Sequence, residues 1–456
     1  MRPVSAVDRP TGQIEMSDAT ILKDRLLSRF QDLERELEGR GPDWLRDARR
    51  DHAQRFAELG FPTAREEEWR NTNISPITRT AFGKPAAETR SLPELPELAR
   101  VELAGTRLVF VDGCYAPELS SAATLPDGVW VGPLAEALRS EPDRLKPYLT
   151  AGAADSVPAF RAINAALATD GAVIWIADNR IVEAPIHVAY VSTGEGEAGE
   201  ASASHLRTLI VAGRSSQATV VESYSGLDGQ TYLTNAVTEV HVGPDATLRH
   251  RRLQVESEAS YHVATIESRQ GADSRYDACN VNLGGRLVRN EVRGILDGEG
   301  GHCTLDGLCL TRDSQHLDNH TVLDHARPHC DSRELYKSIL GGKSRAVFNG
   351  RIIVRRDAQK TDAKQSNPNL LLSAEAQAHT RPQLEIYADD VKCTHGATIG
   401  RLDEDSVFYL RSRGVDEQTA RSLLVEAFAG EILDRIGIEP LQELLGTMVR
   451  GRLAGF

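Results

Sequence analysis

Cys393 and His395 stand two residues apart in VKCTHGATI (391–399), and a thiol with an imidazole is the donor pair that zinc and iron take up. If this stretch stays extended, Val391, Cys393, His395, Ala397 and Ile399 share one face, while Lys392, Thr394 and Thr398 take the other. Two readings stay open. The pair is a soft S/N ligand set, or part of one, or else Cys393 is a small core hydrophobe and His395 a hydrogen-bonded interior residue. The preceding LEIYADD (384–390) also alternates, with Leu384, Ile386 and Ala388 against Glu385, Tyr387 and Asp389, which reads as a strand with one face on a core.

Other residues with chemical potential are less well placed. His302, His316, His320, His325 and His329 crowd one region, interleaved with Cys303, Cys309 and Cys330. On a helix, His316 and His320 would form a zinc-like i, i+4 pair, but the surroundings read as strands and turns, so polar decoration of turns is expected instead. GGKS (341–344) looks like the end of a phosphate-binding loop, yet the first glycine of that motif belongs where the chain has Lys337. With no complete phosphate-binding loop, no G-x-S-x-G elbow and no H-E-x-x-H, a nucleotide engine of the chain's own is not expected. The chain also lacks Cys-x-x-Cys pairs, so a permanently held iron–sulfur cluster is not expected.

The elements that must carry these residues change character along the chain. At 456 residues, about three domains are expected. In ILKDRLLSRFQDLERELEGR (21–40), Leu22, Leu26, Phe30, Leu33 and Leu37 recur every three or four residues, marking an amphipathic helix. A second helix is expected with Trp44, Leu45, Ala48, Phe56 and Leu59 as its apolar set, stopped by Gly60 and Pro62. Glu66–Glu68 reads as a solvated helix start and 85–98, with three prolines, as a linker. A strand at RLVFVDG (107–113) and helical stretches near 133–148 and 158–169 follow.

From AVIWIA (172–177) to about residue 403 the chain is a succession of short strand-like runs separated by glycine, aspartate and asparagine. STGEGEAGEASAS (192–204) reads as a polar, flexible loop. The turn glycines Gly213, Gly243, Gly271 and Gly301 are 30, 28 and 30 residues apart, the mark of stacked repeats. Coils that close their hydrogen bonds onto the next suit a parallel β-helix better than a barrel or a doubly wound sheet; a β-sandwich also fits the pattern. Asp416 is the expected N-cap of a helix over 417–436, with Leu423, Leu424, Ala427, Phe428 and Ile432 on one side, and a last amphipathic piece spans 440–450. The expected organisation is a flexible extension (1–20), a helical region and linker (21–105), a mixed α/β segment (106–170), a parallel β-helix core (171–403) and a C-terminal helical subdomain (404–456).

Composition narrows the function classes. A net charge of −13 and pI near 5.5 leave no basic excess for nucleic acid or anionic membrane. The longest apolar runs are strand-sized, well short of the ~20 residues of a membrane span, and the opening segment has no apolar signal region. Six cysteines scattered without paired spacing argue against a disulfide framework and for a reducing cytoplasm.

Several long blocks, in order, resemble the SufB/SufD family of scaffold subunits of the SUF iron–sulfur cluster assembly system. They are REEEWRNTNISPI (65–77), LVFVDGCYAPELS (108–120), HCDSRELYKSILGGKSRAVFNGRIIV (329–354), DAQKTDAK (357–364), NPNLLLS (367–373), RPQLEIYADDVKCTHGATIG (381–400) and VFYLRSRGVDEQTARSLLVEAFAGEIL (407–433). The resemblance runs from about residue 20 to near the end. It implies a right-handed parallel β-helix core, a chain that is not itself an enzyme, pairing with the paralogous scaffold SufB, and one copy of the SufC ATPase on each scaffold, docked at the C-terminal helices. It further implies a transient iron–sulfur cluster site at the junction of the two scaffolds, where the histidine of the KCxHGA motif matches His395; Cys393, on the same face, stays open as a second ligand or as core filling. No cofactor would be held permanently; flavin would belong to the assembled complex. Thr394 stands where members usually have serine, and NPNLLLS lacks a cysteine carried there by SufB-type chains, which favours the SufD type. On this reading, ATP hydrolysis in the partner draws the C-terminal helices together and opens a buried ligand site that is otherwise closed against oxidation and stray metal.

Two further readings compete. Many secreted polysaccharide lyases and hydrolases use parallel β-helices, but such a chain would need export and a groove of carboxylates. A purely architectural partner of SufB would need neither Cys393 nor His395.

Overall fold

The computed structural model describes residues 17–86, 92, 94–150 and 157–453, so most of the expected N-terminal extension, and residues 87–91 and 93 of the expected linker, lie outside the described residues. The strands between Asp170 and Gly400 are numbered here in chain order: β1 (Asp170–Ile176), β2 (Ile186–Ser192), β3 (Ala201–Ala212), β4 (Gln217–Gly226), β5 (Tyr232–Val242), β6 (Thr247–Val255), β7 (Tyr261–Gln270), β8 (Arg275–Asn282), β9 (Leu287–Leu296), β10 (His302–Thr311), β11 (His316–His325), β12 (Asp331–Leu340), β13 (Arg345–Val354), β14 (Asp362–Leu371), β15 (Gln377–Ile386) and β16 (Lys392–Gly400). Among these sixteen, odd strands pair with odd strands and even with even, all in parallel, so the chain winds as a two-sheet β-solenoid of about seven turns. A parallel β-helix is therefore the core, as the turn spacing implies.

Stacking in register puts equivalent residues of successive coils in columns. Ala218, Leu248, Tyr276, Cys303, Ser332, Ala363 and Cys393 form one inward column across the even strands. The turns stack as closely. A Cβ on Gly243 would lie 2.9 Å from the backbone of Ala212, and one on Gly271 would lie 2.8 Å from Pro244 N, so only glycine fits. In the next coil the turn is longer, and Gly298 rather than Gly301 approaches this stack, 2.0 Å from Ala272 N.

Each sheet buries its outer face under helices. α1 (Asp18–Glu36), α2 (Asp43–Leu59) and α3 (Ala159–Leu167) place Leu22, Leu26, Phe30, Phe56, Phe160 and Ile163 in one cluster with Ala203, Leu233, Tyr261 and Val263 of the odd sheet. α5 (Glu417–Leu433) and α6 (Glu439–Leu453), preceded by α4 (Glu404–Ser412), cover Leu253, Cys279, Val281, Leu308 and Ile339 of the even sheet. At the start of the solenoid, strand Val129–Pro133 closes the odd sheet by pairing antiparallel to β1. No helix among the described residues is long and apolar enough to cross a membrane.

Four expectations need correction. The segment 192–204 is not a loop throughout: residues 201–204 open β3, three of them buried, because the solenoid recruits them into its odd sheet. Leu98, in the expected linker, is buried in helix Glu97–Arg100 against the even-sheet cluster. The alternating LEIYADD is strand only to Ile386; Tyr387 and Asp389 fall in the turn to β16. In α5 the buried face is Ala420, Val425, Ala429, Ile432 and Leu433, whereas Leu423 is 45% exposed. That helix is apolar on more than one side, so periodicity alone does not select the docked face.

Candidate ligand site at the open end of the solenoid

The solenoid ends abruptly. Among the described residues β15 and β16 each have a neighbour on one side only, so the last coil presents unpaired strand edges. Within β16, Cys393 lies over Ala363 and His395 over Gln365, both inward positions of β14. The expected shared face is real, but its burial is not: Cys393 is half-buried against the central core, His395 is exposed and Ile399 is 49% exposed. The same inward columns are buried one coil earlier, at Ala363, Gln365 and Asn367. The physical reason is that no further coil lies above β16, so residues patterned for an interior face the open mouth.

Burial pushes the Cys393 thiol up from its ordinary value, against a lowering contact from the Ala363 backbone, and keeps it protonated near neutrality. The backbones of Cys393 and His395 are about 6.7 Å apart in an extended strand. Among the described residues no set of three or more His, Cys, Asp or Glu side chains is placed to hold a metal ion.

Beneath His395 the inward column is polar. Gln365 Nε2 donates to Glu334 Oε2 at 2.6 Å, and Glu334 stands under Gln365 in register. Glu334 is wholly enclosed; burial pushes its carboxyl up to about 7, offset by the Thr321 hydroxyl and the Gln365 amide. Glu334 Oε1 and Gln365 Oε1 have no hydrogen-bond partner. Room for the amide comes from Gly350 on the facing sheet, where a Cβ would lie 2.3 Å from Gln365 Nε2. Neither residue stands out in the sequence, because a single Glu or Gln in a strand reads as solvent-facing until the coil register is known.

The histidine crowd disperses, and not into turns. His302, on β10, meets Asp331 on the outer face. His325 points inward to the Ser332 hydroxyl at 2.9 Å, and burial pulls it down to about 4. Only His329 occupies a turn. His316 and His320 both project outward from β11 to an N-terminal strap: the Thr72 hydroxyl meets His316 Nε2 at 2.8 Å, and His320 Nδ1 meets Glu68 Oε2 at 2.9 Å while its Nε2 meets Asp318 at 3.0 Å. Arg289 bonds Asp318 and lies 4.2 Å over the Trp69 ring, and Glu67 pairs with Arg381 of β15 at 2.6 Å. Glu66–Glu68 thus includes an anchor rather than a merely solvated helix start. Cys279 and Cys309 are pushed up to about 12 by burial and Cys303 higher still, so these thiols are inert packing. GGKS is the turn between β12 and β13, with Gly342 at φ +60° packed on Asp313, and it wraps no phosphate.

On the even-sheet flank, polar contacts fasten α5 and the turn Asp434–Ile436 after it to the solenoid. Asp306 accepts from Arg435 at 2.9 Å, Lys337 donates to the Phe428 carbonyl at 3.0 Å and pairs with Glu431, and Arg251 donates to the Ile436 carbonyl at 2.7 Å. Asp416 caps α5 by accepting from Thr419 N, as expected. Away from this interface α4 carries Phe408 and Tyr409, 72% and 58% exposed.

Comparison with known proteins bears on this arrangement. The family model described as "SUF system FeS cluster assembly, SufBD core domain" matches residues 192–428, and that described as "SufBD protein N-terminal region" matches 21–188. An iron–sulfur cluster assembly SufBD family protein of Synechocystis sp. is 35% identical over 90% of this chain and 91% of its own length. The iron–sulfur cluster assembly protein SufD of Escherichia coli is 33% identical over 89% of this chain and 92% of its own, and SufD of Bacillus subtilis is 25% identical over 90% and 94%.

Proposed function

The chain belongs to the SufB/SufD family of iron–sulfur cluster assembly proteins, and we propose that it serves as the SufD-type scaffold, completing a transient cluster site with a second scaffold chain seated on its open coil. One observation carries the reading. β16 sets Cys393 and His395 inward at the mouth of a solenoid whose terminal strand edges have no partner. An edge of this kind takes up a strand from another chain, and the SufB scaffold is the occupant proposed here. Seating it would cover His395, so the closed state expected of a site that excludes oxidant is supplied by the second chain and not by this one. The cluster is then cargo: iron arrives at one thiol and one imidazole from this chain and is completed by donors from the other.

The SufC ATPase, on this reading, docks on the C-terminal helices, where Phe408, Tyr409 and Leu423 form an exposed apolar set on α4 and α5. Lys337, Asp306 and Arg251 tie α5 and the turn after it to strands β6, β10 and β12, so a pull on the helices would reach the solenoid wall. We place the protein in a reducing cytoplasm, where Cys393 stays a thiol; none of the six cysteines is in a disulfide.

The test is a cell that depends on this system for its clusters. His395→Ala is expected to leave the three-subunit complex intact, read by native mass, and to abolish cluster delivery. Normal delivery by that variant, with loss only when residues 404–456 are deleted, would leave the chain a purely architectural role.

A further inference from the structure

We propose that Gln365, pinned by Glu334, is a positioning residue for His395: its amide oxygen accepts the N–H of one ring nitrogen and leaves the lone pair of the other free for iron. The inference rests on the reading that His395 ligates iron in the closed complex. It begins from an orphaned oxygen. Gln365 Oε1 is enclosed and unpartnered, and a buried acceptor without a donor calls for an explanation. An ionised Glu334 carboxylate fixes which way the Gln365 amide faces, because only the NH2 end can then donate to Oε2 at 2.6 Å. Amide planarity then turns the oxygen away from Glu334. The next side chain along this inward column, one strand spacing of about 4.8 Å further out, is His395.

In the free chain the His395 ring is exposed and water serves it, while Gln365 Oε1 beneath it stays enclosed without a partner. A second chain seated on β16 removes that water. The acceptor left for a ring N–H within the column is Gln365 Oε1. An imidazole that donates from one nitrogen is locked in the tautomer whose other nitrogen is a ligand, the arrangement that orients metal-binding histidines generally. Gly350 supports the geometry from the opposite sheet, since a Cβ there would displace the Gln365 amide.

The experiment is anaerobic titration of the assembled complex with ferrous iron in the presence of sulfide, read as cluster formed against iron added. Gln365→Met, which keeps length and removes the acceptor, is expected to raise the iron needed for half-maximal assembly by about ten- to a hundredfold, with the plateau and native mass of the complex unchanged. Gln365→Glu, which retains an acceptor oxygen, is expected to restore most of that affinity. Should Gln365→Met not assemble, Gly350→Ala moves the same amide and is expected to give the same shift. A wild-type titration curve for Gln365→Met, beside a dead His395→Ala, would overturn the inference and spare the cluster site. A lowered plateau that tracks loss of complex mass would make Gln365 structural and also overturn it. Cluster formation by His395→Ala would remove the underlying reading itself.

Discussion

Residues in the solenoid interior are decided by register more than by type. Glu334 is the clearest instance, because its carboxyl is raised to about 7 from 4.5 by burial. A carboxyl raised in the folded state holds its proton more tightly folded than unfolded. It therefore costs nothing below about pH 4.5 and costs progressively more as pH climbs to about 7, reaching about 3 kcal/mol above that. Glu334→Gln should accordingly match the wild type in acid and exceed it in stability near neutrality, read as urea midpoints that separate between pH 4.5 and 7. Parallel midpoints across that window would show that Glu334 is not enclosed as described. The pairing of Cys393 with His395 on one face was legible, since a period of two is a property of any strand. Their exposure was not, because sequence periodicity does not say which coil is last.

At the scale of elements, the stacked turns were legible from glycine spacing and the capped helix from Asp416, both being local chemistry. Long-range anchors were not. The strap at Glu68–Thr72 reaches β11 across more than 240 residues of sequence, and its purpose is visible only once His320 is seen between Glu68 and Asp318. Burial works to discharge that imidazole, but Asp318 and Glu68 outweigh it and hold His320 above its ordinary value. A histidine raised on folding contributes stability that is full below its unfolded value near 6.5 and is lost as pH rises through the folded one. Asp318, held low mainly by Arg289 against its own desolvation, stays ionised throughout. Hydrogen exchange at residues 66–72 should therefore accelerate beyond the intrinsic base-catalysed rise once pH passes about 6.5, and His320→Gln should remove that extra dependence. If both proteins follow the intrinsic curve, the strap is held by Trp69 packing and the Arg289 contacts alone.

For the whole molecule, the two ends of the solenoid differ in kind. At its start, Val129–Pro133 and the helical layer close the odd sheet; at its finish, β15 and β16 are left as bare edges beside a thiol and an imidazole. A protein that folded to function alone would be expected to cover such edges. This uncovered end is the face on which we propose that a second scaffold chain seats. The most direct measurement is amide hydrogen exchange, strand by strand, on the chain alone and after addition of a SufB-type scaffold. Strong new protection concentrated in 377–386 and 392–400 is the predicted result. A bound scaffold that leaves those two strands exchanging as they do in the free chain would contradict the account.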